Sequence, residues 1–308
     1  MSGAVPMLAL EGVSKRFGRL TALRDLHLAF DAPGVYGLLG PNGAGKTTTF
    51  KIIAGLLRPS AGRVRIEGID VHRDTRDAMA HLGVQFDSPA FYPYLSGCDN
   101  LKVIAHWIGR RLDDRIGELL ERVGLSRAAD QAVREYSWGM KQRLGLAATL
   151  LPDPRLLLLD EPTNGLDPAG IADIRRLLPQ WAGERGRIVI LSSHRMGEVE
   201  RMSDHVTIIH QGAIVASGRP GELAGGQAVI EIECDVADRA AELLRQQVPL
   251  VELERLGSHR LHVRGYDRPA SHLNRFLIEG GVAVEQIREQ RESLEEVFFR
   301  LTGGGDDA

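Results

Sequence analysis

The feature that most constrains this chain is a glycine-rich segment at residues 40–47, which follows a short apolar run and opens a stretch of helix-forming residues. The apolar run, 35–39, predicts a buried strand, and the stretch 46–57 predicts a helix. Glycines let successive backbone N–H groups turn inward around an anion, and a helix N-terminus adds positive potential there. The segment matches the pattern G-x-x-x-x-G-K-[ST] at every position, with the residues Gly40, Pro41, Asn42, Gly43, Ala44, Gly45, Lys46 and Thr47. The sequence therefore predicts a phosphate-binding loop between a strand and a helix.

The side chains at the end of this loop have the chemistry of a nucleoside triphosphate site. The Lys46 amine is expected to reach the β- and γ-phosphates of ATP, and the Thr47 hydroxyl is expected to ligate Mg²⁺. Thr48 follows directly and is a further predicted contact of the nucleotide. We therefore predict ATP and Mg²⁺ as the ligands of this loop.

Two carboxylates, Asp160 and Glu161, come directly after the apolar run 155–159, which predicts a second buried strand. A third run, 188–191, is followed by a Ser-Ser-His sequence that ends at His194. Because ligands of open α/β sheets bind beyond the carboxyl ends of the strands, we expect these groups beside the loop. Asp160 is predicted to hold Mg²⁺, mainly through its water shell. Glu161 is predicted to orient or deprotonate the attacking water.

The first 220 residues or so alternate short apolar strands with helical stretches, which is typical of an α/β domain with a parallel sheet. The stretch 99–123 looks helical and lies between the loop and the carboxylates, so we expect it to form an inserted helical lobe. The segment 208–217 contains a Gln-Gly pair between apolar runs and predicts a hairpin that closes the domain.

Composition narrows the function classes. The net charge is -3, and acidic and basic residues are mixed along the chain, so no nucleic-acid partner is expected. Only two of the 308 residues are cysteines, and they lie far apart, which favours a reducing compartment. No apolar run approaches the roughly 18 residues that could span a bilayer. If the protein works at a membrane, we expect another chain to cross it.

A composition shift near residues 218–226 predicts a linker between two domains, at 7–220 and 226–304. The second domain reads as strand, helix, two strands, helix and strand, an order that predicts a small α+β ferredoxin-like fold. Its predicted strands are 228–234, 250–256, 260–264 and 282–289, and its helices are 237–246 and 270–278. A last helix, 293–301, is predicted to begin with a capping box formed by Ser293 and Glu296.

The segment 136–143, Tyr-Ser-Trp-Gly-Met-Lys-Gln-Arg, narrows the class further. We call it the signature segment. It precedes a helical stretch, 142–150, so Ser137 and Gly139 should lie at a helix N-terminus that can bind phosphate. The segment resembles the signature motif of ABC-transporter ATPases, usually L-S-G-G-Q, which in that family contacts the ATP held by a second subunit.

The other motifs of that family follow in order, so residues 7–220 resemble an ABC ATPase domain, a P-loop NTPase. Residues 162–167, which we call the D-loop segment, resemble the family's D-loop and end at Asp167. His194 resembles the switch histidine that contacts the γ-phosphate. Phe17 occupies the place of an aromatic residue that stacks on adenine. The resemblance implies ATP hydrolysis coupled to transport, with Glu161 and His194 as the catalytic residues.

The chain departs from the family pattern at two places. Trp138 and Met140 replace a glycine and a glutamine of the signature motif, while the serine and second glycine that contact phosphate are retained. Counting back from the segment 89–93 puts Asp87 where the family has its Q-loop glutamine, with Gln85 two residues earlier. We favour Asp87 over Gln85 as the residue that reaches the nucleotide and Mg²⁺, because a carboxylate is also a magnesium ligand.

The resemblance also implies partners and a location. Two ATPase subunits, either two copies of this chain or this chain and a homologous subunit, would face each other head to tail. They would drive separate integral-membrane permease subunits from the cytoplasmic face of the membrane, as peripheral proteins. Three features resemble those of the ATPases of drug, antibiotic or lipid exporters: the residues of the signature segment, Asp87, and the C-terminal segment 293–298. The alternatives are the ATPase of an importer and a soluble ABC ATPase acting on ribosomes or DNA. The second domain is read as a regulatory or dimer-stabilising module.

Overall fold

The computed structural model describes residues 5–86, 89–109, 113–224, 228–247, 252–266, 268–291 and 293–302. The chain divides into two compact units, Met1–Gly218 and Arg219–Ala308. In chain order the first unit contains β1 (Leu8–Phe17), β2 (Leu20–Phe30), β3 (Gly34–Leu39), α1 (Lys46–Ile53), β4 (Ala61–Ile66), β5 (Ile69–Asp70), α2 (Thr75–Met79), β6 (Leu82–Gln85), α3 (Gly97–Ile108), α4 (Asp113–Arg122), α5 (Trp138–Leu150), β7 (Leu156–Asp160), α6 (Pro168–Gly183), β8 (Ile188–Ser193), α7 (Met196–Glu200), β9 (His205–His210) and β10 (Ala213–Gly218).

A six-stranded sheet in the order β10-β9-β3-β8-β7-β6 forms the centre of the first unit. All its strands are parallel except β10, which forms the predicted hairpin with β9. Every side chain of β7 and β8 is buried, which explains why these strands read as continuous apolar runs. The three strands predicted from such runs are therefore confirmed as neighbours, and their carboxyl ends lie at one edge.

A second sheet, antiparallel in the order β2-β1-β4-β5, was not predicted from the sequence. Its long strands β1 and β2 pair with three register shifts, which break the strict two-residue alternation that marks a strand. Leu8 and Leu23 of this sheet join Phe50 of α1 and Leu158 of β7 in one hydrophobic core. The parallel sheet alone is thus an incomplete description of the first domain.

The predicted helical lobe lies between β6 and β7 and consists of α3, α4 and α5, which pack against one another. Within the stretch 99–123, which looks helical in the sequence, α3 is followed by Gly109, which takes the left-handed conformation of a helix C-cap. At its other end α3 is capped by Ser96, whose hydroxyl accepts a hydrogen bond from Asp99 N–H at 3.0 Å. The lobe is therefore built from separate helices.

The second unit contains α8 (Pro220–Ala224), β11 (Ala228–Cys234), α9 (Ala237–Gln247), β12 (Glu252–Arg255), β13 (Arg260–Arg264), α10 (Ala270–Glu279), β14 (Val284–Arg291) and α11 (Leu294–Thr302). Its antiparallel sheet has the order β12-β13-β11-β14, and one core joins it to α9 and α10. The predicted order of strands and helices is thus the observed one. Ser293 and Glu296 form the expected capping box, in which Ser293 N–H donates to the Glu296 carboxylate at 2.7 Å.

The segment 218–226, predicted to be a linker, contains the short helix α8 at residues 220–224, and the boundary between the two units falls between Gly218 and Arg219. A proline at the first helical position favours a helix start, and α8 then packs against α11. Residues 225 and 226, also assigned to the linker, lie outside the described residues. Among the described helices none has the length and apolar character needed to cross a bilayer.

Candidate functional site

A cleft of about 500 Å³ opens where the glycine-rich loop meets the carboxyl ends of β7 and β8. It brings together residues that are up to about 180 positions apart in the chain, because parallel strands end at the same edge. The cleft is lined by Phe17, Leu20, Ala22, Pro41, Asn42, Gly43, Gly45, Lys46, Thr47, Thr48, Asp160, Glu161, Asn164 and His194. The structure thus assembles the predicted loop, both carboxylates, the histidine and the aromatic residue in one place.

The loop is shaped around the N-terminus of α1. Gly45 precedes this helix with φ +112°, and a Cβ there would lie 2.6 Å from Leu23 Cδ2, so no larger residue fits. The Lys46 side chain is only 6% exposed, and its amine donates to the carbonyl oxygens of Gly40 at 2.7 Å and Pro41 at 3.1 Å. Burial lowers the pKa of Lys46, while nearby Glu161 and Asp160 oppose that shift. The site therefore presents a partly desolvated cation beside free helix N–H groups.

Asp160 lies at the end of β7, buried and held by two hydroxyl groups. Thr47 Oγ1 donates to one carboxylate oxygen at 2.8 Å, and Ser192 Oγ donates to the other at 2.5 Å. The described residues contain no cluster of three or more His, Cys, Asp or Glu side chains that could enclose a metal. Mg²⁺ is commonly bound by one or two protein oxygens together with substrate phosphates and waters. The Thr47–Asp160 pair at the mouth of an anion-binding loop fits that kind of binding.

Glu161 stands between two nitrogen groups. One carboxylate oxygen lies 3.0 Å from His194 Nδ1, and the other lies 3.8 Å from the Lys46 amine. Its side chain is 15% exposed, which leaves access for a small molecule from the cleft. Its backbone has φ +51°, an uncommon conformation for a residue with a side chain and one that clusters at functional sites. This geometry suits a base that accepts a proton from a bound water.

Ser192 is a functional residue whose role the sequence did not reveal. Its side chain is fully buried at the end of β8. Its hydroxyl donates to Asp160 and accepts from Glu161 N–H at 3.1 Å, so it holds both carboxylate residues in place. A Ser-Ser-His run beyond an apolar strand was visible, but its contacts with the end of β7 depend on strand order. Asn164 was likewise not assigned, although it lines the cleft.

The signature segment lies outside the cleft of its own chain. Ser137 is exposed and caps α5, because its hydroxyl accepts from Met140 N–H at 3.2 Å. Gly139 follows in the first turn of that helix. Asp167 caps α6 in the same way, accepting from Gly170 N–H at 2.9 Å. These residues are not among those that line the cleft, so any contact with ATP would have to be made to nucleotide bound elsewhere.

The Q-loop assignment stays a prediction, since Asp87 lies outside the described residues. Gln85, the alternative, is 5% exposed at the end of β6, and its amide donates to Gln142 Oε1 at 2.6 Å. It therefore contacts the signature helix α5 and is not among the residues that line the cleft.

The comparisons with known proteins agree with the geometry of the cleft. A family model described as ABC transporter matches residues 23–164. The bacitracin transport ATP-binding protein BcrA of Bacillus licheniformis is 36% identical over 300 residues, which are 95% of this chain and 96% of that protein. The chain belongs to the ABC transporter family. It is an ABC ATPase, which hydrolyses ATP as the nucleotide-binding subunit of a transporter.

Other comparisons extend the match of this ABC ATPase. The daunorubicin resistance ATP-binding protein DrrA3 of Streptomyces coeruleorubidus is 36% identical over 308 residues, covering 96% of each chain. The dimeric ATP-binding cassette MJ0796, solved in a post-hydrolysis state with ADP and Pi, aligns with a TM-score of 0.64 at 24% identity. That alignment covers 69% of this chain and 98% of MJ0796, and it shows the shared P-loop NTPase fold.

Replacing Ser192 by Ala should lower kcat for ATP hydrolysis about 10- to 100-fold, as loss of an outer partner of a metal ligand usually does. Asp160 would lose one of its two hydroxyl donors, and Glu161 N–H would keep only the Ser192 carbonyl, 3.2 Å away. The measurement is steady-state hydrolysis as a function of Mg²⁺ and ATP. Ser203→Ala is the matched control, since the Ser203 hydroxyl is buried without a hydrogen-bond partner. Equal rates for the two variants would show that Ser192 does not position the carboxylates.

Proposed function

We propose that this ABC ATPase energises a bacterial exporter of a drug, an antibiotic or a lipid, acting on a separately encoded permease. The observation that carries the proposal is the extent of the similarity. The match to the bacitracin and daunorubicin proteins covers 95–96% of the chain, so it includes the second unit as well as the ATPase domain. A nucleotide-binding domain alone is common to many transporters, whereas agreement over both units favours the exporter group over importers and over soluble ABC ATPases.

Binding of ATP would use the cleft from end to end. The half-exposed ring of Phe17 offers a flat apolar surface to adenine, and the Lys15 amine lies 5.0 Å from the centre of that ring. The backbone N–H groups of the loop and Lys46 would bind the β- and γ-phosphates. Thr47 and Asp160 would hold Mg²⁺, with Asp87 as a further predicted ligand. Mg²⁺ held there would supply neutralisation of the phosphate charge.

Hydrolysis would be carried by the residues at the ends of β7 and β8. Glu161 would accept a proton from the water that attacks the γ-phosphate. His194, 42% exposed and with its Nδ1 3.0 Å from Glu161, would hold that carboxylate in place, with its other ring nitrogen available for contact with the γ-phosphate. The buried Lys46 would stabilise the charge that develops on the phosphate oxygens.

A second ATPase subunit would complete the site. Ser137 and Gly139 present a hydroxyl and a helix N-terminus on the outside of the domain, away from the cleft of their own chain. In a head-to-tail dimer these groups would close over the partner's ATP, so ATP would join the two domains and hydrolysis would release them. MJ0796, which shares the fold, was solved as a dimer bound to ADP and Pi.

The permease would dock at the helical lobe, from the cytoplasmic face of the membrane. Tyr92, Tyr94 and Trp107 are half-exposed or more, and the rings of Tyr92 and Trp107 meet edge to face at 6.3 Å between centroids. Exposed aromatic side chains grouped in this way are typical of protein interfaces. In the chain, Tyr92 and Tyr94 lie within ten residues of Asp87, which is expected to sense the nucleotide.

The test is a host strain in which Glu161→Gln replaces the native residue. We expect this strain to become several-fold more sensitive to at least one of bacitracin, daunorubicin and a lantibiotic. That compound should also accumulate in its cells, because the permease loses its energy source. Glu121→Gln, an exposed carboxylate of α4, is the control and should behave as the unchanged strain. Unchanged sensitivity and accumulation for amphipathic antibiotics, combined with loss of uptake of a nutrient, would contradict the export direction and favour an importer.

A further inference from the structure

We propose that Trp138 is a positioning residue that fastens the signature segment to the D-loop segment of the same chain, and thereby links the ATP cleft of one subunit to the surface that meets the partner's ATP. The inference rests on the head-to-tail dimer of the proposed function. It concerns the residue at which this chain departs from L-S-G-G-Q, where a glycine could form no such connection.

The indole makes two kinds of contact with the D-loop segment. Its Nε1–H donates to the carbonyl oxygen of Asn164 at 3.2 Å. Its edge lies directly on Gly165, because a Cβ at that glycine would be 2.5 Å from Trp138 Cδ1 and 2.6 Å from Nε1. Gly165 has φ +72°, so the backbone there also needs glycine. The two residues therefore fit each other: the absence of a side chain at Gly165 leaves room for the indole of Trp138.

A second contact joins the same segments beside the indole. A Cβ on Gly139 would lie 3.2 Å from Leu166 Cδ2, so the backbone of the signature segment is close to the D-loop segment over at least two residues. The indole remains 46% exposed, which distinguishes Trp138 from core residues such as the buried Trp181.

The signature segment contains the start of α5 and the D-loop segment leads into α6, so the contact joins the starts of two helices. Ser137 caps α5 of the helical lobe, and Asp167 caps α6 that packs on the central sheet. The indole, in the first turn of α5, contacts the D-loop segment just before the start of α6. Any movement of the signature segment with the helical lobe is consequently transmitted to the D-loop segment through Trp138.

The D-loop segment leads back to the chain's own catalytic residue. Asn164 N–H donates to the carbonyl oxygen of Glu161 at 3.0 Å, and Asn164 also lines the cleft. The path Trp138–Asn164–Glu161 is therefore continuous through hydrogen bonds. When the signature segment binds the partner's ATP, the position of the backbone at Glu161 would change through this path. Formation of the dimer at one ATP site and hydrolysis at the other site would therefore depend on each other.

The experiment measures ATP-driven dimerisation of the full chain by light scattering in the Glu161→Gln background. Trp138→Ala and Trp138→Leu should each raise the ATP concentration for half-maximal dimerisation about tenfold, the loss expected from one hydrogen bond together with aromatic packing. Trp138→Phe keeps a ring against Gly165 and should be intermediate. Binding of a fluorescent ADP analogue to the monomer should be unchanged in all three, because the indole does not line the cleft.

Leu56→Ala removes another exposed apolar side chain of the same unit and is the matched control, with no expected change in dimerisation. Normal ADP binding also verifies that each variant is folded. If Trp138→Ala does not fold, the dimerisation of Trp138→Leu tests the proposal. Unaltered dimerisation of the Ala and Leu variants would overturn the role of Trp138. Failure of the Glu161→Gln parent itself to dimerise would instead contradict the head-to-tail reading on which the inference rests.

Discussion

Glu161→Gln should reduce steady-state ATP hydrolysis by about 10²-fold or more, the range expected for loss of a general base. Glutamine keeps the size of the side chain and can still hydrogen-bond with His194, 3.0 Å from the native carboxylate. It cannot accept the proton of the attacking water. ATP binding should survive, since the loop and Lys46 are unchanged, and the ATP-bound dimer should accumulate because its release depends on hydrolysis.

Hydrolysis of purified wild-type and variant chains, followed with light scattering in the presence of ATP, checks this expectation. Glu200→Gln at the end of α7 is the control, because that carboxylate lies outside the lining of the cleft. An inactive variant that dimerises with ATP supports both the assignment of Glu161 as the general base and the ATP-bound head-to-tail dimer. Full turnover by Glu161→Gln would remove Glu161 from its catalytic role, while leaving the nucleotide cleft intact.

Lys46→Ala should weaken ATP binding about 10- to 100-fold, which corresponds to the loss of charge-assisted hydrogen bonds to phosphate. The side chain is buried, its amine donates to two loop carbonyls, and Lys46 is the only lysine or arginine among the described residues that line the cleft. Hydrolysis at saturating ATP should also fall, because the same charge stabilises the transition state. Titration with a fluorescent ATP analogue measures the first effect, and steady-state kinetics measures the second.

Lys51→Ala is the matched control, since Lys51 is an exposed lysine on the same helix α1. The pH dependence provides a second readout. Burial lowers the pKa of Lys46, so its charged form is lost at a lower pH than in an ordinary lysine. ATP affinity of the wild-type chain should therefore decline as the pH rises through that lowered pKa, and the decline should be absent in Lys46→Ala. Retention of tight ATP binding by Lys46→Ala would contradict the assigned role.

The local parts of the site were predictable because the residues that form each part are consecutive in the sequence. The loop 40–47 needs its glycines, lysine and threonine in one run, since backbone N–H groups must surround a phosphate at the start of a helix. Asp160 and Glu161 were predictable because a fully buried parallel strand has to read as an apolar run, and its end is then visible. The order of elements in the second unit followed from the same periodicity, because α9 and α10 each bury one face against a single sheet.

Contacts between distant segments were decided only by the tertiary structure. The sheet containing β1 and β2 escaped prediction because its bulges interrupt alternation, and α8 escaped because five residues carry too little pattern. Ser192 acquires its role from the adjacency of β7 and β8, which no local residue pattern encodes. Gln85 contacts α5, and Trp138 contacts Asn164, 26 positions away, for the same reason. The sequence by itself determined which chemical groups this ABC ATPase has and placed those of the glycine-rich loop and of the ends of β7 and β8. Strand order and packing decided which of those groups meet, because pairing across the chain depends on burial and shape over the whole fold.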